Sequence, residues 1–168
     1  FLHLYHADLP FFQLQDIPKK PIASVILVDT QSLVTLKGLS KKTSVSVFDH
    51  HRKRDDLSAE WHFENIERGA TTTYFVEQIM EHNNHVLSPI EATLLLMGIY
   101  EDTGMLTYTN TTAQDAAAIS FLLSNNANLE IAAQFLNPPL SSTQQIVFQD
   151  LLKTGEHLNI KGLKIFLG

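Results

Sequence analysis

Two short apolar runs constrain this chain more than anything else in it. Ile22-Ala23-Ser24-Val25-Ile26-Leu27-Val28 is nearly unbroken, and Ser44-Val45-Ser46-Val47-Phe48 is rich in β-branched residues. Runs of this kind suit strands of a parallel sheet covered on both faces, because alternation disappears when neither face meets water. Each run passes straight into polar residues, Asp29 in the first case and Asp49-His50-His51 in the second. The stretch between them, 30–42, has the length of a crossover carrying a short helix, so a right-handed βαβ unit is the economical arrangement. Both strands then deliver acids and imidazoles at their carboxyl ends, where open α/β sheets place ligands.

The rest of the chain continues an α/β pattern in which helices dominate the second half. Residues 61–66 predict a third strand, and Gly69 precedes a helix over 70–81. Pro89 suits the first turn of a long apolar helix reaching Tyr100, with Ser88 as its N-cap and Gly104 as its stop. Thr112 and Asp115 form a capping box for an Ala-rich helix to Leu123, which Asn125-Asn126-Ala127-Asn128 ends. Helices follow at 129–136 and 142–153. The segments 157–160 and 163–166, joined around Lys161-Gly162, predict a hairpin or the start of a further sheet.

A chain of 168 residues with 44% hydrophobic content can build one compact domain with a core. Its 18 acidic and 12 basic residues give a formal charge of -6. No run of Lys or Arg is present to clamp a nucleic-acid backbone, which excludes a long duplex as a ligand of this surface alone. Cysteine is absent, so any metal must be held by carboxylate and imidazole, and a reducing cytoplasm suits the composition. The opening residues lack the pattern of a signal peptide, and no stretch approaches the roughly 20 apolar residues that span a bilayer. A cytoplasmic location and no membrane partner are therefore expected. The first residue is Phe1 rather than Met, and Phe166-Leu167-Gly168 closes the chain directly after an apolar run. Both ends read as cut from something longer.

Asp29, Asp49, His50, His51 and Asp102 stand out because three separate segments each present an acid or imidazole at the end of an apolar element. Oxygen ligands mixed with imidazole, without thiolate, suit manganese or magnesium better than structural zinc. A lone Asp after a strand is ordinarily a turn or cap residue, and adjacent histidines on a strand point to opposite faces. At a strand end the chain turns, and both rings can face one pocket.

The run Val45-Ser46-Val47-Phe48-Asp49-His50-His51 resembles the signature of the DHH superfamily of metal-dependent phosphoesterases. Ile26-Leu27-Val28-Asp29-Thr30 lies where that family has its preceding acidic motif. Gly98-Ile99-Tyr100-Glu101-Asp102-Thr103-Gly104, followed by Asn110-Thr111-Thr112, is similar to the fourth motif and its sequel, and Gly69-Ala70-Thr71-Thr72 to the helix entry after the Asp-His-His loop. Within the superfamily the chain looks like the RecJ-like branch, in particular the DHH domains joined to CBS and tRNA nucleotidyltransferase domains in large bacterial proteins. Glu101 to Tyr108 and the opening Phe1 to Tyr5 carry that narrower likeness.

The resemblance implies a Rossmann-like parallel sheet with flanking helices, lacking here the family's first strand and its His-x-x-x-Asp-x-Asp motif. His6-Ala7-Asp8 is a poor substitute, because Pro10 follows it where a helix should start. Residues 1–155 would form a partial DHH domain with three of four motifs, and 156–168 the start of a following strand or linker. The implied activity is hydrolysis of a phosphodiester or phosphoanhydride in a short single-stranded oligonucleotide or a nucleotide, by two-metal activation of water. Asp29 would bridge two manganese ions (magnesium is the alternative), and His50 and Asp102 would complete the shell of one of them. His51 would contact the substrate phosphate, and Asp49 would orient a neighbouring histidine. Without the first motif, one weakly bound ion or none is expected, with little or no hydrolysis by this chain. An exposed sheet edge beside the missing strand would favour a homodimer. The competing reading is a non-catalytic DHH-like module that binds a nucleotide or positions a neighbouring domain in an RNA-processing protein.

Other residues have plainer uses. His62, His82 and His85 read as surface residues. Arg52, Lys53 and Arg54 either hold phosphates or form a solvated loop diluted by Asp55 and Asp56, and Trp61 and Phe63 either stack on a base or pack in the core.

Overall fold

The computed structural model describes residues 5, 9, 11, 12, 20–33, 38–82 and 86–167. Strands β1 (Ser24–Val28), β2 (Ser44–Asp49) and β3 (His62–Asn65) form a parallel sheet in the order β1-β2-β3. The two apolar runs are therefore adjacent parallel strands, as their sequence predicts. Val28 lies opposite Phe48, and the Asp29 N–H donates to the Phe48 carbonyl over 2.9 Å. The ladder thus continues one residue beyond β1 and lays Asp29 beside Asp49.

The central strand is the well-covered one, with Val45, Val47 and Asp49 buried. On β1 the expected cover of both faces is incomplete, since Ile26 is 64% and Val28 46% exposed. The helix rings on that face, Tyr74 and Phe75, meet Phe48 of the central strand at centroid distances of 5.8 and 5.7 Å. Among the described residues no strand pairs with the outer edge of β1. In the crossover, residues 30–33 and 38–42 are not helical and 34–37 lie outside the described residues.

Helices α1 (Thr71–His82), α2 (Pro89–Thr103), α3 (Ala113–Ser124) and α4 (Leu129–Leu136) supply the main core. Ser88 with Glu91 caps α2, and Thr112 with Asp115 caps α3, each as a reciprocal box that satisfies two otherwise orphaned backbone N–H groups. Val76, Leu96, Ile99, Ile119 and Leu122 pack together, and Ala92, Ala118 and Ala132 let the helices approach closely. Gly98 is needed for the same reason: a Cβ there would stand 2.6 Å from the Thr72 hydroxyl. Helix α2 runs past Tyr100 to Thr103 because Glu101-Asp102-Thr103 contains no breaker, and Gly104 ends it in the left-handed conformation at φ 54°. Asp102 consequently sits in the last helical turn.

Packing divides the chain into two compact units, Phe1–Leu136 and Asn137–Gly168. In the second unit, α5 (Ser142–Thr154) starts at a Ser141–Gln144 capping box, and β4 (Glu156–Ile160) pairs antiparallel with β5 (Leu163–Leu167). Lys161 and Gly162 both take positive φ, 52° and 85°, as a two-residue hairpin turn requires. Ile146, Val147, Phe148, Leu151 and Leu152 of α5 are exposed. Among the described residues no helix is long and apolar enough to cross a membrane.

Candidate metal centre

The carboxyl ends of β1 and β2 and the last turn of α2 meet at one place. Asp29 leaves its strand with φ 57°, a left-handed backbone that aspartate tolerates better than most side chains. The His50 imidazole is 9% exposed, and its Nε2 lies 3.5 Å from Asp29 Oδ1 and 3.7 Å from Asp102 Oδ2. That nitrogen has no hydrogen-bond partner. A buried polar atom without a partner is costly, and here two carboxylates surround it. Burial, followed by the charge of Asp29, pushes the Asp102 carboxyl above its ordinary value, and the two imidazoles only partly oppose this. Two acids facing one buried ring nitrogen fit a divalent cation held by oxygen and imidazole. Three sequence-predicted ligands, Asp29, His50 and Asp102, are thus brought together.

Ligand atoms of Asp29, Asp49, His50 and His51 lie within 4.8 Å of one another. Asp49, 2% exposed, has both oxygens engaged by protein donors. Oδ1 accepts from the His51 N–H at 2.9 Å and lies 2.8 Å from His51 Nδ1; Oδ2 accepts from Gln31 Nε2 at 3.1 Å. Burial raises the Asp49 carboxyl, yet the bonds from His51 and Gln31 outweigh it and hold the group below its ordinary value. The Asp49 bond raises His51 above the usual imidazole value against the opposing effect of burial, with the charges of Asp49, Asp29 and Asp102 adding to the rise. The His51 ring is 61% exposed.

Two residues at this centre escaped the sequence reading. Thr71, fully buried, donates its hydroxyl to Asp29 Oδ1 at 2.9 Å and accepts the His50 N–H at 3.1 Å. It is also the first residue of α1, so the positive end of that helix faces the carboxylates. The Gly69-Ala70-Thr71-Thr72 segment drew notice only as a helix entry. Gln31 stands two residues after Asp29 and carried no distinguishing signal beyond that. Behind Thr71, the buried Asp115 carboxylate accepts from the Gly69 N–H at 3.0 Å, from the Thr73 hydroxyl, and from the N–H and hydroxyl of Thr112, both at 2.7 Å. The cap of α3 therefore also braces the entry of α1.

The basic loop is largely occupied with itself. Arg54 forks onto Asp56 at 2.9 and 2.7 Å and donates to the Ser32 hydroxyl at 3.1 Å, while Lys53 lies 5.6 Å from the centre of the Phe63 ring. Trp61 and Phe63 are half-buried. Exposed His62 pairs with Glu64 at 3.7 Å, and exposed His82 lies 2.8 Å from the Gln78 carbonyl. His85 and His6-Ala7-Asp8 lie outside the described residues.

No protein-family model matches the chain. It is 34% identical to an A-adding tRNA nucleotidyltransferase of Geobacter sulfurreducens over 98% of its own length and 19% of the relative's. It is 28% identical to a bifunctional oligoribonuclease and PAP phosphatase of Mycoplasma genitalium, over 71% of this chain and 38% of that one. A solved exopolyphosphatase-related protein from Bacteroides fragilis superposes with a TM-score of 0.61 at 18% identity, covering 80% of this chain and 41% of that structure. The chain spans about a fifth of the length of the nucleotidyltransferases it matches, 19% and 18%.

Proposed function

Because the chain belongs to the DHH family, we propose that it is the phosphoesterase domain of a larger protein. Its substrate would be a short single-stranded oligonucleotide or a nucleotide, and Asp29, His50 and Asp102 would hold a divalent cation, manganese in preference to magnesium. The observation that carries this reading is the buried Nε2 of His50, unpartnered and faced by two carboxylates. A bound cation supplies charge neutralisation for a phosphoryl group and acidifies a water.

The chain's own residues do the positioning. Thr71 fixes Asp29 Oδ1 and the His50 backbone together, so that two ligands from different strands share one buried hydroxyl. Asp49 holds His51 by Nδ1, which leaves the opposite edge of that exposed ring for a phosphate oxygen. The N-terminus of α1 adds a partial positive charge beside the same carboxylates. Among the described residues the acids and histidines close enough to share a metal ion are Asp29, Asp49, His50 and His51, and Asp102 approaches His50 Nε2 from α2 at 3.7 Å. A second ion, if the full family pattern holds, draws its remaining ligands from elsewhere in the larger protein. The similarity to nucleotidyltransferases supports a setting in RNA processing.

The test is manganese binding by calorimetry on this chain and on Asp29→Ala, His50→Ala and Asp102→Ala, alongside hydrolysis of a short oligoribonucleotide, a nucleotide and pyrophosphate by the larger protein. Each substitution should weaken manganese binding at least about tenfold and nearly abolish turnover. Manganese affinity indifferent to all three substitutions overturns the site. Normal manganese binding with none of the substrates cleaved overturns hydrolysis in favour of a binding module.

A further inference from the structure

Gln31 spans the gap between the end of β1 and the Asp-His-His loop with one amide. Its Nε2 donates to Asp49 Oδ2 and to the Arg52 carbonyl, both at 3.1 Å, and its Oε1 accepts the Arg54 N–H at 2.8 Å. The amide can sit only one way round, because a carboxylate and a carbonyl need donors and a backbone N–H needs an acceptor. The bond to Asp49 matters most for the centre. With Oδ2 tied to Gln31, the carboxylate cannot rotate, and Oδ1 is left in line with both the His51 N–H and the His51 ring. An ionised carboxylate only accepts, so Nδ1 of His51 must carry the hydrogen between them.

We propose that Gln31 is a positioning residue that acts through Asp49 to fix the ring of His51 in its Nδ1–H form, with Nε2 turned to the phosphate of the substrate. The proposal deepens the phosphoesterase reading and rests on it for the identity of the phosphate. The arrangement Gln31–Asp49–His51 is a property of the folded chain by itself. Gln31 contributes no ligand, and none of its three partners, Asp49, Arg52 and Arg54, is one of the proposed ligands, so its loss should spare the cation.

Gln31→Glu and Gln31→Ala divide the possibilities. The glutamate keeps the length and the acceptor for Arg54 but has no hydrogen to give Asp49, whereas the alanine removes both halves. The tautomer of His51 is read from its imidazole nitrogen shifts in two-bond proton–nitrogen spectra of the metal-free chain near pH 8, assigned with His51→Gln. The native chain should show Nδ1 protonated, and both variants should show the ring averaging between its two tautomers. In the larger protein, both variants should lower kcat/KM for a short oligonucleotide by about 10- to 100-fold, the range usual for groups that orient a site's residues. Manganese affinity should stay within about threefold of native.

A His51 ring that keeps its Nδ1–H form in both variants, or that lacks it in the native chain, overturns the proposal. A variant that loses the form together with most of its thermal stability is replaced by Gln31→Met, which keeps the bulk without polar atoms and must give the same spectral change. Should the larger protein cleave no phosphoester, the phosphoesterase reading fails, and the nitrogen shifts still decide the role of Gln31.

Discussion

The Thr71 hydroxyl donates to the Asp29 carboxylate over 2.9 Å across 42 positions of sequence. The same oxygen accepts the His50 N–H, so one small side chain joins the first turn of α1 to the ends of two strands. Thr71→Val keeps the shape and removes the hydroxyl, leaving a buried N–H and a carboxylate oxygen each short of a partner. The expected loss is about 1–3 kcal/mol of stability, with manganese affinity lowered as well. Thermal unfolding with and without manganese measures both, and an unchanged affinity would detach Thr71 from the centre.

His51→Ala tests the proposed substrate contact apart from metal binding. The ring is bound to Asp49 and is largely exposed, so its removal should leave manganese affinity near native. Turnover should fall by about 100- to 1000-fold, the usual loss of one positioned electrostatic contact. Steady-state kinetics beside a manganese titration reads the two effects separately.

Asp115 links stability to pH. Burial pushes its carboxyl up, but donors from Thr73, Thr112 and Gly69 hold it below the ordinary carboxylate value. The folded chain therefore binds fewer protons here than the unfolded one. The stabilisation is present above the unfolded value of about 3.9 and is lost as pH falls through the lower native value. Asp115→Asn should be less stable than native by roughly 2–4 kcal/mol at pH 6. Denaturant unfolding should show that difference shrinking as pH is lowered through this window, and a constant difference would contradict the assignment.

Gly98→Ala probes the contact between α1 and α2. Its new Cβ would lie 2.6 Å from Thr72 Oγ1, and overpacking of this kind costs about 1–3 kcal/mol. Adding Thr72→Ala removes the obstructing oxygen and should recover part of the loss. A double-mutant cycle in urea gives the coupling, and strict additivity would mean the helices adjust without strain.

What could be read from the sequence was local. Ser88 before Pro89 and Thr112 with Asp115 announce helix starts because a capping side chain stands directly ahead of an apolar run, and Gly104 announces a stop because only a left-handed residue fits there. Asp29, His50 and Asp102 were visible as polar residues closing apolar elements, and strand pairing brings the first two together almost automatically. Thr71 and Gln31 were not legible. Threonine in a first turn and glutamine after a strand are ordinary choices, and their meaning comes from partners 42 and 18 positions away. The bare face of β1 was equally hidden, since the run from Ile22 to Val28 describes its own hydrophobicity and not what covers it.

The left-handed backbone of Asp29 narrows the paths by which this protein can change. Glycine and asparagine sit at φ 57° with little strain, but neither brings a carboxylate. Glutamate brings one and meets a backbone penalty of about 1–2 kcal/mol. A lineage that keeps the chemistry therefore has no neighbouring residue to drift to at this position. One that abandons it meets least resistance through asparagine, which deletes a single charge and leaves the fold standing. Inheritance at position 29 is close to all or nothing, and an asparagine there would mark a descendant that has kept the architecture and lost one charge of the proposed cation site.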